Sequence, residues 1–263
     1  YFRAEGDGKG MRKLIIRGDD LGFSEAVNYG IAKAVKDGLV KSVGLMVNMP
    51  WATHGLKLLE DTDVCLGLHV NVCLGRPCAE PERVKSLLDD KGYLYSSQAY
   101  RKAYEAEEVF TDYGEMVVEI EAQYKKFVKL TGRDPAYFEA HAVVSPHLYE
   151  GLEQVATKYG LRYSNVSPVN AIGLFDGKPI AHCPLESMAQ EYDPWKCLKD
   201  GVESMREDMP NVFVCHPGYV DWFLMNHSSL TVNRAKETAM ICDPEIKRWL
   251  EKQGIQLCRY CEI

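Results

Sequence analysis

The 263-residue chain has 46% hydrophobic and 26% charged residues, a composition typical of a soluble globular protein with one large domain or two small ones. Its net charge of −7 argues against nucleic acid or an anionic membrane as a partner. No apolar run approaches the roughly 20 residues that span a bilayer, and the nine cysteines, most of them in apolar contexts, indicate reduced thiols and a cytoplasmic location.

The two ends of the chain offer little chemistry. Residues 1–10 are polar and glycine-rich, so we expect an extension with little structure and no signal peptide. Cys258 and Cys261 have C-x-x-C spacing, but they follow a strand signal and lack a second pair, so we predict neither a zinc nor a redox role for them. The segment 11–263 has no linker, repeat or low-complexity stretch and is predicted to be one domain.

The first predicted strand begins at Leu14 and leads into two adjacent carboxylates, Asp19 and Asp20. Side chains alternate between the two faces of a strand, so these two cannot point the same way unless the strand ends there. The carboxyl ends of strands are where α/β folds bind ligands, and a bound cation would compensate the repulsion within the pair. The alternative is a turn in which one aspartate caps the next helix, but Ser24 already fits that cap.

Strands and helices alternate along the rest of the chain. Helices are predicted at 24–37, 51–60, 115–131, 147–159, 195–206, 231–242 and 244–253, and strands at 43–47, 64–70, 135–141, 211–215 and 255–258. Such alternation implies parallel strands joined by right-handed crossovers. Because the chain lacks a dinucleotide-binding glycine motif, six or seven such units favour an α/β fold that closes, or nearly closes, into a barrel.

Residues 72–113 interrupt this alternation with an insertion that is rich in aromatic side chains. Its rings are Tyr93, Tyr95, Tyr100, Tyr104, Phe110 and Tyr113. A long aromatic insertion after a strand and helix is a candidate lid over the substrate, because aromatic faces can stack on sugar rings. Alternatively, these aromatic side chains form a small satellite core, which the sequence favours equally.

Side chains that can bind a metal follow four of the strands. These are the Asp19–Asp20 pair, His69, His141 and His216. A lone histidine at a strand end is more often a structural hydrogen-bonding group, but parallel strands bring all their carboxyl ends to one side. One carboxylate and two imidazoles would form a catalytic metal site with positions left open for water. The second carboxylate would then be the general base and the remaining histidine the general acid.

Four motifs resemble those of the YdjC-like carbohydrate deacetylases, which include chitooligosaccharide deacetylases and are similar to polysaccharide deacetylases. The motifs are Ile15-Ile16 followed by Asp19-Asp20-Leu21-Gly22, then Gly67-Leu68-His69, Glu139-Ala140-His141 and Cys215-His216-Pro217-Gly218-Tyr219. Further matches are Val47-Asn48-Met49-Pro50, Ser228-Ser229-Leu230 followed by Arg234, and Asp243-Pro244-Glu245-Ile246-Lys247. The resemblance covers about residues 12–262.

The resemblance implies a distorted (β/α) barrel of the polysaccharide-deacetylase type with about six or seven parallel strands. It also implies a divalent metal, magnesium or zinc, and hydrolysis of the N-acetyl group of an amino sugar or oligosaccharide to acetate and a free amine. By position, Asp20, His69 and His141 match the metal ligands, Asp19 matches the base, and His216 matches the acid or a group on the oxyanion side. A small-molecule carbohydrate substrate and a homodimer follow from the same resemblance.

Four residues in or beside these motifs are expected to bind the substrate. They are Arg17, Asn48, Glu139 and Tyr219. Arg17 replaces a small polar residue that is common in the family, and it would bind a substrate anion or pair with Glu139.

The sequence departs from the family after His141. The family commonly has further histidines close behind this position, whereas here the next one is His147, at the predicted start of a helix. This departure leaves the substrate class open. A different metallohydrolase on a similar barrel, such as an amidohydrolase or a phosphoesterase, and an inactive sugar-binding homologue are the alternatives.

Overall fold

The computed structural model describes residues 12–165 and 171–263. Its strands are β1 (Arg12–Leu21), β2 (Ser42–Leu45), β3 (Cys65–Val70), β4 (Phe138–Ala140), β5 (Ser164–Asn165), β6 (Ile172–Phe175), β7 (Lys178–His182), β8 (Asn211–Cys215) and β9 (Ile255–Cys258). Its helices are α1 (Glu25–Lys36), α2 (Ala52–Leu58), α3 (Ser97–Glu105), α4 (Tyr113–Thr131), α5 (Pro146–Tyr159), α6 (Pro194–Glu203), α7 (Trp222–His227), α8 (Val232–Ile241) and α9 (Pro244–Lys252). The predicted extension at 1–10 lies outside the described residues.

The strands form one sheet that curls back on itself. Their order is β4-β3-β2-β1-β8-β7-β6-β5, and β9 pairs with the first residues of β1. Within the described ranges, seven strands pair in parallel with a neighbour, whereas β6 runs antiparallel to both β5 and β7. A parallel bridge between Phe138 and Tyr163 joins the two edges. The predicted α/β barrel of six or seven parallel strands is therefore confirmed.

The central strand, β1, is buried along both faces. It pairs with β8 on one edge, and with β9 and then β2 on the other. Every residue from Leu14 to Leu21 is buried, because one face of β1 lines the barrel and the other packs against helices. On the helical side, Ile16, Val27 and Ile31 belong to one apolar cluster, which holds α1 against the sheet.

The predicted helices that begin at a polar cap lie within a few residues of their expected positions. Ser24 caps α1 as predicted, since its hydroxyl accepts a hydrogen bond from the backbone N–H of Val27 at 3.2 Å. The helix α4 ends at Gly132 in the left-handed conformation, where glycine is favoured. Among the helices of the described ranges, none combines the length and apolar character needed to cross a membrane.

The segment 161–210 is more regular than predicted. The sequence predicts only one helix there, near 195–206, whereas the structure adds the β6–β7 hairpin before α6. Asp176 and Gly177 form the two-residue turn, both with positive φ (52° and 72°). An Asp-Gly pair is a strong hairpin signal, but the flanking strands have only four and five residues and too little alternation to be recognised. The short helix α7 was also missed.

The aromatic insertion has two different sides. Val84, Leu87 and Tyr100 are buried in the same apolar cluster as the barrel, so the inner side extends the main core. Tyr104 and Phe110 remain exposed. The buried side therefore belongs to the main core rather than to a small satellite core, and a lid over the substrate stays a prediction for the exposed side.

Candidate metal centre and active site

The carboxyl ends of β1, β3, β4 and β8 carry the polar residues that the sequence analysis singled out. Asp19 and Asp20 lie near the end of β1, His69 lies in β3, His141 directly follows β4, and His216 directly follows β8. A cavity of about 330 Å³ opens between these strand ends and is lined by Asp19 and all three histidines. The structure therefore brings the predicted groups together, as parallel pairing requires.

A distortion of β1 allows both aspartates to serve one site. The pairing of β1 with β2 shifts register between Gly18 and Leu21, and Asp20 has a φ of 76°. Aspartate is one of the few residues other than glycine that tolerates this left-handed conformation. An extra residue in a strand re-aims the side chains around it, so the regular alternation that would separate Asp19 from Asp20 is broken here.

Asp20, His69 and His141 place three possible metal-binding atoms within a small triangle. Asp20 Oδ1 lies 3.0 Å from His141 Nδ1 and 3.3 Å from His69 Nε2. The two histidine nitrogens are 3.0 Å apart. Such separations are those of neighbouring ligands on one ion with bonds of about 2.0–2.2 Å. Asp20 Oδ1 is buried without a hydrogen-bond partner of good geometry, which fits an oxygen that a cation would satisfy.

The other atoms of Asp20 and His69 are held by buried charged groups. Arg234 donates to Asp20 Oδ2 at 2.7 Å, and Glu139 Oε1 contacts His69 Nδ1. A carboxylate on one histidine nitrogen selects the tautomer whose other nitrogen can bind a metal. Burial would raise the pKa of Asp20, but Arg234 and His141 outweigh it and hold that pKa well below its ordinary value. Asp20 is therefore ionised at neutral pH.

Asp19 is held in the same way by a different arginine. Arg17 donates to Asp19 Oδ2 at 2.7 Å, approaches Glu139 Oε2 at 3.5 Å, and donates to the hydroxyl of Tyr260 at 3.3 Å. Burial would raise the pKa of Asp19, but Arg17, His69 and His216 lower it overall. Asp19 Oδ1 is buried with no hydrogen-bond partner. The pairing of Arg17 with Glu139, one of the two predicted alternatives, is thus present.

A second group of possible ligands shares His69. Asp19, His69 and Glu139 also place ligand atoms within 4.8 Å of one another. However, Glu139 Oε1 already makes a direct contact with His69 Nδ1, which suits a shared proton and leaves no room for an ion between these two atoms. The triangle around Asp20 is the better metal site for this reason.

His216 is anchored through its backbone. Its N–H donates to Glu237 Oε2 at 2.6 Å, and the other oxygen of this buried carboxylate accepts from Ser187 and Tyr192 at 2.7 Å each. The ring nitrogen Nδ1 of His216 is buried without a partner. No sequence pattern indicated Glu237, because it lies on α8, 21 residues beyond the histidine that it positions.

Two of the four residues expected to bind substrate lie elsewhere. Asn48 donates to the carbonyls of Leu74 and Arg76 at 2.9 and 3.1 Å and lines a separate cavity. Tyr219 is 39% exposed, and neither residue lines the 330 Å³ cavity. Arg17 and Glu139 do line it.

His147 also lies away from the histidine cluster. Its Nδ1 is 3.3 Å from the hydroxyl of Thr111, and its ring packs edge-on against Tyr113. These contacts join α5 to the aromatic insertion, which accounts for a histidine at the start of this helix.

Two polar residues in the cavity were missed from the sequence. Ser164 and His182 both line the cavity. The atoms Ser164 Oγ and His182 Nε2 are buried without hydrogen-bond partners. Burial and the nearby Arg17 lower the pKa of His182 to about 4, so this imidazole is neutral. Both residues belong to the unpredicted strands β5 and β7, which explains why no pattern indicated them.

The fold and this site define an α/β-barrel protein with a candidate metal centre at the carboxyl ends of its strands. Residues 13–252 match the model of the family described as YdjC-like protein. The chain belongs to the YdjC-like family.

Proteins named carbohydrate deacetylase match nearly the whole chain. Carbohydrate deacetylase 2 of Listeria innocua is 28% identical over 265 residues, which is 95% of this chain and 98% of the relative. The carbohydrate deacetylase of Thermoanaerobacter pseudethanolicus is 27% identical with the same coverage. Among solved structures, an Enterococcus faecalis protein described as a cellobiose-phosphate cleavage protein matches with a TM-score of 0.77, 25% identity and coverage of 95% and 97%.

A more distant likeness extends to the barrel alone. A family 4 acetyl xylan esterase from Clostridium thermocellum matches with a TM-score of 0.53 at 10% identity, covering 95% of this chain and 89% of the esterase. The distorted barrel expected from the sequence is thus shared with this esterase.

Proposed function

We propose that this protein is a metal-dependent carbohydrate deacetylase that hydrolyses the acetamide of an N-acetylated amino sugar, releasing acetate and a free amine. The observation that supports this most strongly is the triangle of Asp20, His69 and His141 atoms beside a second, arginine-bound aspartate. The carbohydrate deacetylases among the relatives of this family member agree with the proposal.

A divalent ion, magnesium or zinc, would be held by Asp20 Oδ1, His69 Nε2 and His141 Nδ1. When bound, it would supply a Lewis acid for the acetamide carbonyl and lower the pKa of water in the cavity. Three protein ligands leave coordination positions free, as catalytic rather than structural sites do.

Asp19 acts as the general base in this proposal. Its Oδ2 is occupied by Arg17, so only Oδ1 is free to accept a proton from the attacking water. The low pKa of Asp19 keeps it ionised at neutral pH, but it also makes the carboxylate a weak base. Turnover should therefore depend strictly on the ion.

His216 acts as the general acid. It lines the same cavity as Asp19, and its unpartnered Nδ1 is not committed to the protein. The imidazole can therefore carry a proton to the nitrogen of the departing amine. Glu237, which holds the backbone of His216, is a positioning residue.

The contacts of Arg17 and Glu139 favour positioning over direct recognition of the sugar. Arg17 has its guanidinium against two carboxylates and Tyr260, which leaves little of it for a substrate anion. Glu139 contacts His69 and Arg17 at once. We therefore assign both to orienting the base and the metal ligands, with Asn48 and Tyr219 left without a role in the chemistry. The homodimer and the cytoplasmic location stay predictions.

The experiment is a screen of acetylated amino sugars for acetate release, run with and without a chelator. We expect acetate from at least one sugar, loss of activity with chelator, and recovery on adding Mg²⁺ or Zn²⁺. Non-sugar amides and phosphate monoesters are included as competing substrates. Turnover confined to those compounds would replace the proposal with another metallohydrolase, and sugar binding without acetate release would indicate an inactive homologue.

A further inference from the structure

Residues 255–262 reach the candidate active site from the opposite end of the barrel. The strand β9 pairs with the first residues of β1, so that the end of β9 lies level with Ile15. Side chains two residues apart in a strand share a face, so Ile15 and Arg17 lie on the same side of β1. The short 3₁₀ helix Tyr260–Glu262 follows β9 and brings Tyr260 into contact with Arg17.

The phenol ring of Tyr260 has little freedom to move. The residue is fully buried, its ring stacks on that of Tyr137 with 4.3 Å between centroids, and the ring of Phe175 packs edge-on at 4.9 Å. The backbone N–H of Tyr260 donates to Ser42 Oγ at 3.3 Å. The three rings belong to one apolar cluster, so the Tyr260 hydroxyl is held in a fixed position.

This hydroxyl orients the buried guanidinium of Arg17. It accepts a hydrogen bond from Arg17 Nη1 at 3.3 Å. Among the described residues it is the only hydrogen-bond partner of that nitrogen, and Arg17 Nε has none. Burial raises the pKa of Tyr260 to about 12, so the acceptor is a neutral hydroxyl that does not compete with the carboxylates for the charge of Arg17.

Two carboxylates compete for the other terminal nitrogen of this guanidinium. Arg17 Nη2 lies 2.7 Å from Asp19 Oδ2 and 3.5 Å from Glu139 Oε2, so a small rotation would exchange one partner for the other. A guanidinium is planar and rigid, so a contact at one nitrogen fixes the position of the other. The hydrogen bond to Tyr260 therefore selects the orientation in which Asp19 is the closer partner.

We propose that Tyr260 is a positioning residue for the general base: its hydroxyl holds Arg17 against Asp19 and so leaves the second oxygen of that carboxylate free to accept a proton. This inference rests on the proposed function and deepens it. Without the hydroxyl, the buried Nη1 loses its acceptor, and an unsatisfied buried charged donor is costly. The guanidinium then turns toward Glu139, and the base loses the contact that orients it.

The first test compares Tyr260→Phe with Tyr137→Phe. Both residues are fully buried and stack on each other, but the Tyr137 hydroxyl has no hydrogen-bond partner among the described residues, so it is the matched control. We expect Tyr260→Phe to lower kcat for acetate release about 10–100-fold, as a small misplacement of a catalytic group does, with KM and metal content unchanged. Tyr137→Phe should keep the kcat of the unchanged enzyme.

A double variant separates positioning from a merely structural role. Added to Asp19→Asn, Tyr260→Phe should cause no further loss of residual turnover, because the base that it positions is already absent. The same fold-loss in both backgrounds would show that Tyr260 supports the fold rather than the base, and would overturn the inference.

A crystal structure of Tyr260→Phe tests the contact without turnover. We expect the Arg17 guanidinium to leave Asp19 Oδ2 and approach Glu139. An unmoved Arg17, or a kcat equal to that of Tyr137→Phe, would overturn the inference. A displaced Arg17 in a protein that releases no acetate from any sugar would support the role of Tyr260 in holding Arg17 while rejecting the proposed hydrolysis.

Discussion

The two adjacent aspartates of β1 lie on two sides of one site. Their contacts with the protein are alike, but their free oxygens lie near different groups. Each aspartate accepts a 2.7 Å hydrogen bond from a buried arginine through Oδ2, and each has an Oδ1 without a hydrogen-bond partner. On the Asp20 side, Oδ1 faces the nitrogens of His69 and His141. On the Asp19 side, Asp19 lines the cavity together with His216.

The comparison indicates that surroundings, rather than residue type, divide the two roles. Buried ion pairs contribute little net stability, and strongly perturbed carboxylates tend to cluster at functional sites. In the proposed function, the aspartate next to two imidazoles shares a cation with them, and the one next to the cavity and a third imidazole exchanges a proton. Variants of each side separate the two roles.

Removing a histidine ligand should abolish metal binding. His69→Ala or His141→Ala leaves two donors of the triangle, so we expect metal affinity to fall by more than about 100-fold, the upper end of what changes behind the ligands cost. Elemental analysis of the purified variants measures this. His147→Ala is the matched control, because this histidine contacts Thr111 and Tyr113 instead of the site. Unchanged metal content in the two ligand variants would exclude the proposed ligand set.

Replacing the base should stop turnover while the metal stays bound. Asp19→Asn keeps the shape of the side chain, so we expect the rate of acetate release at saturating metal to fall roughly 10²–10⁴-fold, the usual contribution of a general base. Steady-state kinetics with the best substrate of the screen measures this. Turnover close to that of the unchanged enzyme would remove Asp19 from the base role.

Weakening the support of a ligand should have a smaller effect. Glu139→Gln replaces the carboxylate behind His69 Nδ1, and we expect metal affinity to fall about 10–100-fold. Turnover should largely recover when metal is added in excess, which a metal titration of the variant shows. A variant that binds metal normally but has a raised KM for the sugar would instead return Glu139 to substrate binding.

Adding a methyl group between Asp19 and His69 should have the smallest effect on the site. A Cβ on Gly44 of β2 would lie 3.0 Å from the Cβ of His69 and 3.2 Å from Asp19 Oδ1. Gly44→Ala therefore pushes the base and a ligand apart, and we expect a loss of about 1–3 kcal/mol in the free energy of unfolding, together with weaker metal binding. Denaturant unfolding measures the first effect. Unchanged stability would show that the two side chains are not held as closely as described.

The sequence predicted which residues meet at the site better than it predicted the residues that hold them in place. Hydrophobic periodicity and polar residues at strand ends were sufficient for the barrel and for the convergence of Asp19, Asp20, His69, His141 and His216, because parallel strands share one end. The register shift that turns Asp20 could not be predicted, since it depends on pairing between β1 and β2. Arg234 was noticed only as part of a resemblance, because its contact with Asp20 spans 214 residues.

The missed elements have physical reasons as well. The strands β5, β6 and β7 have two, four and five residues, too few for a periodic signal, and they carry Ser164 and His182. Asn48 and Tyr219 lie in the motifs, yet the Asn48 amide donates to the carbonyl of Leu74 and the backbone N–H of Tyr219 donates to the carbonyl of Ala26 in α1.

The most direct test of the central claim compares Asp20→Asn with Asp19→Asn for bound metal, by elemental analysis of the two variants prepared side by side. If the two aspartates divide the work as proposed, Asp20→Asn will have lost its metal and Asp19→Asn will retain a stoichiometric amount. The opposite pattern, or equal loss in both, would contradict the division of roles on which the proposed deacetylase rests.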